Sequence, residues 1–220
     1  MAYKTMITAH TGALNTGRNS SKFFERMKTV STEGIEVDIR LLGNTPYLGH
    51  TFVPLLKSKR IAFSSVLDYC KEHNFILNCD IKLRSGVKRT CEVIRSCNAE
   101  NNVYLTGAVT SKHLSLLKGI PVFCNSIFYS PTCGIPSVFS LEKIKTYLDG
   151  LGHGEIKGLN ISKIIATDAF LEKANALGIN LSVYTVDDEN TLRRLLEYGV
   201  KNITTNQPLL ALELREKIQN

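Results

Sequence analysis

Two histidines and three carboxylates stand where they can do chemistry together. An apolar stretch ends in Ala9-His10-Thr11-Gly12. A second, Gly34-Ile35-Glu36-Val37-Asp38-Ile39-Arg40, alternates acids with aliphatics, so that in a strand Glu36 and Asp38 share one face while Ile35, Val37 and Ile39 share the other. A third, Ile76-Leu77-Asn78-Cys79-Asp80-Ile81-Lys82, repeats the pattern with Asp80 and Lys82. Two like charges on one face repel in a partly dry site, and a hard divalent cation offsets this most simply. A third carboxylate from a neighbouring strand completes an all-oxygen donor set suited to Mg²⁺ or Ca²⁺, with Mn²⁺ as an alternative. Lys82 would either hold a phosphate oxygen as a point charge or neutralise Asp80. After the second strand, Thr45-Pro46-Tyr47-Leu48-Gly49-His50 is a short extended stretch that brings His50 to face His10. An imidazole on either side of a phosphodiester can take a proton from the nucleophile and give one to the leaving alkoxide.

Such residues must be held by strands lying side by side, and the rest of the chain supplies them. Short β-branched runs near 3–9, 34–40, 75–82, 102–107, 120–124, 155–160, 180–186 and 201–205 alternate with amphipathic stretches at 20–32, 64–73, 88–99, 110–118, 140–150, 166–177, 188–198 and 208–218. Ser140 and Asp187 or Asp188 stand at helix-capping positions. The rhythm predicts an α/β fold, a single small (β/α)8 TIM barrel over residues 1–220, with an open doubly wound sheet as the structural rival. In a barrel, strand C-termini and the loops after them form the mouth. The two long connections, 41–63 and 125–139, are therefore expected there.

Composition narrows the function further. The 220 residues carry 27 Lys and Arg against 20 Asp and Glu, a net charge of +7 that favours an anionic partner. The basic residues are scattered without aromatic interleaving, which argues against nucleic acid and for a small phosphate-bearing substrate. No apolar run reaches the roughly 18 residues of a membrane span, and Met1 to Met6 lacks a signal peptide's apolar core, so a cytoplasmic protein is expected. The six cysteines show no paired spacing and read as reduced thiols.

In order and spacing these motifs resemble the glycerophosphodiester phosphodiesterase family. The resemblance rests on His10 with Gly12, Asn19 with Ser20, Glu36 with Asp38, His50, and Asp80 with Lys82. Val183-Tyr184-Thr185-Val186-Asp187 and the stretch from Gly199-Val200 to Pro208 resemble two further family motifs. It implies metal ligation by Glu36, Asp38 and Asp80, acid and base roles for His10 and His50, and hydrolysis of a small phosphodiester. The chain departs at Thr11, where the family has arginine, at Arg18, where it has glutamate, and at Thr51 and Asn206, where it has aspartates. A guanidinium lost at position 11 and gained at 18 would restore a phosphate clamp from the other side. The family's inserted subdomain is absent, which implies a more open mouth; there Tyr184 would either stack on the substrate alcohol or serve as core. Two alternatives stand beside this reading: a lipid phosphodiesterase forming a cyclic product, with Phe128-Tyr129 as a membrane-docking element, and a non-catalytic barrel binding a phosphorylated ligand.

Overall fold

A strand of alternating aliphatic and polar residues can bury both faces only if one face meets helices and the other a closed interior. The computed structural model describes residues 4–53 and 60–219 and builds that arrangement. Eight parallel strands, β1 (Met6–Ala9), β2 (Gly34–Leu42), β4 (Ile76–Ile81), β5 (Val103–Gly107), β6 (Val122–Cys124), β7 (Ile156–Ser162), β8 (Leu181–Tyr184) and β9 (Asn202–Thr205), lie side by side in that order. The sheet closes because β1 pairs with both β2 (Thr8 opposite Gly34) and β9 (Met6 opposite Asn202). Closure rules out the open doubly wound sheet, whose edge strands have one neighbour each.

Helices α1 (Ser21–Met27), α2 (Phe63–Glu72), α3 (Val87–Ser96), α4 (Leu114–Leu117), α5 (Ser130–Cys133), α6 (Leu141–Gly150), α7 (Asp168–Ala176), α8 (Glu189–Glu197) and α9 (Pro208–Gln219) follow the strands. Ser20, Thr167 and Asp188 accept from Phe23 N, Phe170 N and Thr191 N and so cap α1, α7 and α8. Ser140 does not cap α6: its hydroxyl bonds back to Ser137 N and Ile135 O, within a 3₁₀ turn that leads into the helix. The apolar core lies between sheet and helices, with Ile7, Ile35, Leu77, Leu105, Leu159 and Ile203 fully buried. At the N-terminal end, Arg215 of α9 donates to Thr5 O at 2.7 Å and pairs with Glu33 at 2.7 Å, tying the last helix to the start of the barrel.

The described parts of both long connections lie at the C-terminal mouth, as expected; residues 54–59 of the first lie outside the described residues. β2 runs past the barrel rim, and β3 (Thr45–Leu48) folds back on it antiparallel, with Ile39 opposite Leu48. The connection from β6 to α6 holds a 3₁₀ turn and α5, which bury Phe128 and Tyr129. That burial removes the pair as a membrane-docking element, because neither ring reaches the surface.

Gly107, at φ +80°, ends β5 against the site strand β4. A Cβ there would overlap Asp80 Oδ1 and come within 2.5 Å of Ile81 O. Gly107→Ala is therefore expected to destabilise the protein by about 2 kcal/mol or more in urea unfolding, because both the backbone angle and the space exclude a methyl group.

Candidate active site

Parallel register brings the carboxylates together. Glu36 lies opposite Asn78 and Asp38 opposite Asp80 across the β2–β4 pair, so two acids two residues apart on β2 meet a third from β4 at the mouth. One oxygen from each of Glu36, Asp38 and Asp80 lies within 4.8 Å of the others, and this is the group of acidic or imidazole donors among the described residues that could share a metal ion. Glu36 and Asp38 are almost fully buried. Lys82, two residues beyond Asp80, sets its ammonium 2.6 Å from Asp38 Oδ1 and 2.5 Å from Asp80 Oδ2. The sequence left Lys82 with two roles, and here it neutralises not one acid but two.

One ammonium does not balance three carboxylates. Burial and the charges of Asp38 and Asp80 push Glu36 well above the usual carboxylate range, its one close donor being Thr11 N at 2.9 Å. Burial would raise Asp38 as well, but Lys82, with hydrogen bonds from Lys82, Asn19 and His50, holds it low. Burial also opposes the charge on Lys82, and Asp80 and Asp38 outweigh it, so its pKa is raised. Excess buried negative charge on hard oxygen donors fits a divalent cation held by Glu36, Asp38 and Asp80.

The two imidazoles reach the cluster from opposite sides. His10 follows β1 and lies with Nε2 3.8 Å from Glu36 Oε2. Its Nδ1 is 3.0 Å from Asn206 Oδ1, and Asn206 in turn donates Nδ2 to Asp187 Oδ2 at 2.9 Å and its backbone N–H to Asp187 Oδ1 at 2.7 Å. Because the Asn206 amide is oriented by Asp187, its oxygen faces His10, which places the imidazole proton on Nδ1 and a lone pair on Nε2. His50 arrives by a different route: Gly49 N bonds Asp38 O at 3.0 Å, Arg40 Nε bonds His50 O at 2.9 Å, and His50 Nδ1 lies 3.3 Å from Asp38 Oδ1. The β2–β3 hairpin thus sets a half-exposed imidazole beside the buried acid.

Asn19, at φ +50°, clamps Asp38 twice, donating from Nδ2 to Oδ2 at 2.8 Å and accepting Asp38 N at 3.1 Å. Thr11, standing where an arginine would project, is buried and accepts Asn19 N through its hydroxyl at 2.7 Å. Gly12, at φ +89°, lets this loop fold onto the backbone at Arg18. Arg18 is exposed and lies close enough to His10 to lower its pKa. Tyr184 lines the cleft with His10, Glu36, Asn78, Asp80 and Asn125, and its hydroxyl accepts from Asn125 Nδ2 at 3.4 Å. The cleft has a volume of about 370 Å³.

Sequence reading passed over the polar floor beneath the cluster. Thr8 donates to Asn202 at 2.6 Å, Asn202 to Ser182 at 3.0 Å, Ser182 to Asn160 at 2.9 Å, and Asn160 to Asn125 at 3.3 Å. On the far side Thr106 donates to Asn78 at 2.8 Å. Their signal was the two-residue period: Asn78 precedes Asp80, and Ser182 precedes Tyr184, by two positions on the inward face. Asn206 and Asp187 were visible as residues, but their service to His10 depends on contacts across the barrel.

The model of the Glycerophosphoryl diester phosphodiesterase family matches residues 140–210, which include the β8 motif and the stretch leading to Pro208. A glycerophosphodiester phosphodiesterase of Parabacteroides distasonis superposes with a TM-score of 0.78 at 17% identity, with 100% of each chain covered. A phosphodiesterase of Oleispira antarctica, solved in complex with its product sn-glycerol-3-phosphate, superposes with a TM-score of 0.77 at 14% identity, covering 97% of each chain. Among curated proteins no sequence matches.

Burial first, then the neighbouring charges of Arg18 and Lys82, lower the pKa of His10, although the Asn206 hydrogen bond and Asp38 oppose the shift. In an NMR titration of the imidazole protons, His10 is expected to titrate below the ordinary value of about 6.5. Since the unfolded chain then binds the extra proton more readily, His10 makes folding less favourable as pH falls below about 6.5. A His10 midpoint at or above that value would contradict the burial argument.

Proposed function

We propose that this chain is a member of the glycerophosphoryl diester phosphodiesterase family and a metal-dependent phosphoric diester hydrolase that cleaves small glycerophosphodiesters to a phosphomonoester and an alcohol. The observation that carries the reading is the convergence of Glu36, Asp38 and Asp80, with His10 and His50 beside them, at one open barrel mouth. The three acids would hold the divalent cation, Mg²⁺, Ca²⁺ or Mn²⁺. When bound it supplies charge neutralisation at the non-bridging phosphate oxygens.

The protein's own groups do the rest. His10, kept neutral by burial and held by Asn206, takes a proton from water at Nε2. The water oxygen bonds to phosphorus as the bond to the alkoxide breaks, and His50, braced by Asp38, gives its proton to the leaving oxygen. The balance is one water consumed, one phosphomonoester and one alcohol released, after which solvent returns each imidazole to its starting state. Arg18 would meet the phosphate from outside the cleft, Lys82 would contact an oxygen of the same group, and Tyr184 would pack on the alcohol. The product seen with the Oleispira antarctica enzyme, sn-glycerol-3-phosphate, is the phosphomonoester this reading expects from a glycerophosphodiester.

Hydrolysis of bis(p-nitrophenyl) phosphate should require Mg²⁺, Mn²⁺ or Ca²⁺ and vanish in EDTA. His10→Ala should lower kcat by about 10² to 10⁴. Arg18→Ala should raise KM with little change in kcat. Absence of turnover with every metal would leave the barrel as a binder of phosphorylated ligands, and a cyclic phosphate in the phosphorus NMR spectrum of the products would mark internal attack in place of water.

A further inference from the structure

The surface is strongly asymmetric. All the large apolar side chains that are exposed among the described residues lie on the C-terminal half of the barrel, around the mouth. Phe52 and Val53 follow β3, Leu83 follows β4, Ile135 and Phe139 lie between β6 and α6, and Ile164 follows β7. The other two stand at the end of β2 and in the first turn of α9. Phe139 is 93% exposed and Ile135 73% exposed, a poor outcome for side chains that gain by leaving water. The connections at the opposite end, from helix to strand, expose no such side chain among the described residues.

Over four connections of this rim charge has one sign, whereas Asp187 and Asp188 follow β8 and Asp188 pairs with Lys163 beside Ile164. The described connections 41–53, 82–86, 108–113 and 125–139 contain no Asp or Glu at all. They carry Lys82, Arg84 and Lys112, and neither Arg84 nor Lys112 pairs with a carboxylate among the described residues. Arg84 and Lys112 line one cleft of about 630 Å³ with the hydroxyl-bearing Thr110, Ser111 and Thr132. Arg40 is stacked 4.8 Å from the Phe52 ring, so a cation accompanies that exposed aromatic as well.

We propose that this arc of the mouth is a docking surface for an anionic lipid surface. On the four acid-free connections, Phe52, Val53, Leu83, Ile135 and Phe139 project beside Arg84 and Lys112 with no carboxylate in those segments, which complements a phospholipid boundary, where apolar groups enter the acyl edge and cations meet headgroup phosphates. A second copy of this chain or a protein partner would bury the same apolar groups but would leave Arg84 and Lys112 needing acids, and the matching surface on a second copy is basic itself. Its consequence, that the phosphodiester is presented to the cleft by a lipid headgroup, rests on the hydrolase reading above; the docking surface does not.

Flotation of the full chain with phosphatidylcholine vesicles, with and without phosphatidylserine, tests the surface. The protein should float with the anionic vesicles and less as salt rises. Arg84→Ala and Lys112→Ala should each weaken binding about fivefold, the equivalent of about 1 kcal/mol per cation. Ile135→Asp and Phe139→Asp together should abolish it, with hydrolysis of bis(p-nitrophenyl) phosphate and circular dichroism unchanged. Absence of flotation, flotation indifferent to these substitutions, or a dimer that Phe139→Asp dissociates would overturn the proposal. Flotation without hydrolysis of the soluble diester would leave the surface standing and remove the hydrolase reading.

Discussion

Everything at the mouth follows from crowding three carboxylates around one ammonium. Glu36, Asp38 and Asp80 approach within 4.8 Å because parallel strands in register place them there, and Lys82 alone among the close neighbours is cationic. Buried like charges either take up a proton or recruit a cation. Glu36 is raised and Asp38 lowered, so Lys82 compensates the Asp38 end of the cluster and the poorly compensated carboxylate is the one next to His10. Mouth geometry, imidazole placement and the fit of the cluster to a divalent ion are three views of this single imbalance.

The imidazoles serve the cluster by unlike means. His10 is partly buried, which lowers its pKa, and is held through Asn206 by Asp187 on the far side of the barrel seam. His50 is half exposed and rides on a hairpin anchored to Asp38 and Arg40. In the proposed reaction the base sits on a strand end and the acid on a hairpin, which suits one partner being water and the other a departing alcohol. The surrounding rim, apolar and basic without acids over four connections, suggests what delivers that alcohol.

Much of this was legible beforehand, for a physical reason. Strand alternation fixes which side chains share a face, so Glu36 with Asp38 and Asp80 with Lys82 were readable as pairs, and eight βα units pointed to a barrel. Contacts between distant segments were not readable. Nothing in local sequence says that Asn206 would orient His10, that Lys82 would bridge to Asp38 as well as Asp80, or that Thr11 would turn inward to hold Asn19. Phe128 and Tyr129 failed for the same reason: an aromatic pair in a long loop looks exposed until the fold packs it into the core, while Phe139, ten residues after Tyr129, is the one left in solvent.

The most direct test is diffraction from crystals grown with Mn²⁺ and recorded at its absorption edge. The account predicts one anomalous peak at about 2.0 to 2.6 Å from carboxylate oxygens of Glu36, Asp38 and Asp80, with the Lys82 ammonium withdrawn from at least one of them. Crystals with Mn²⁺ elsewhere or nowhere, and Lys82 still seated between Asp38 and Asp80, would contradict it.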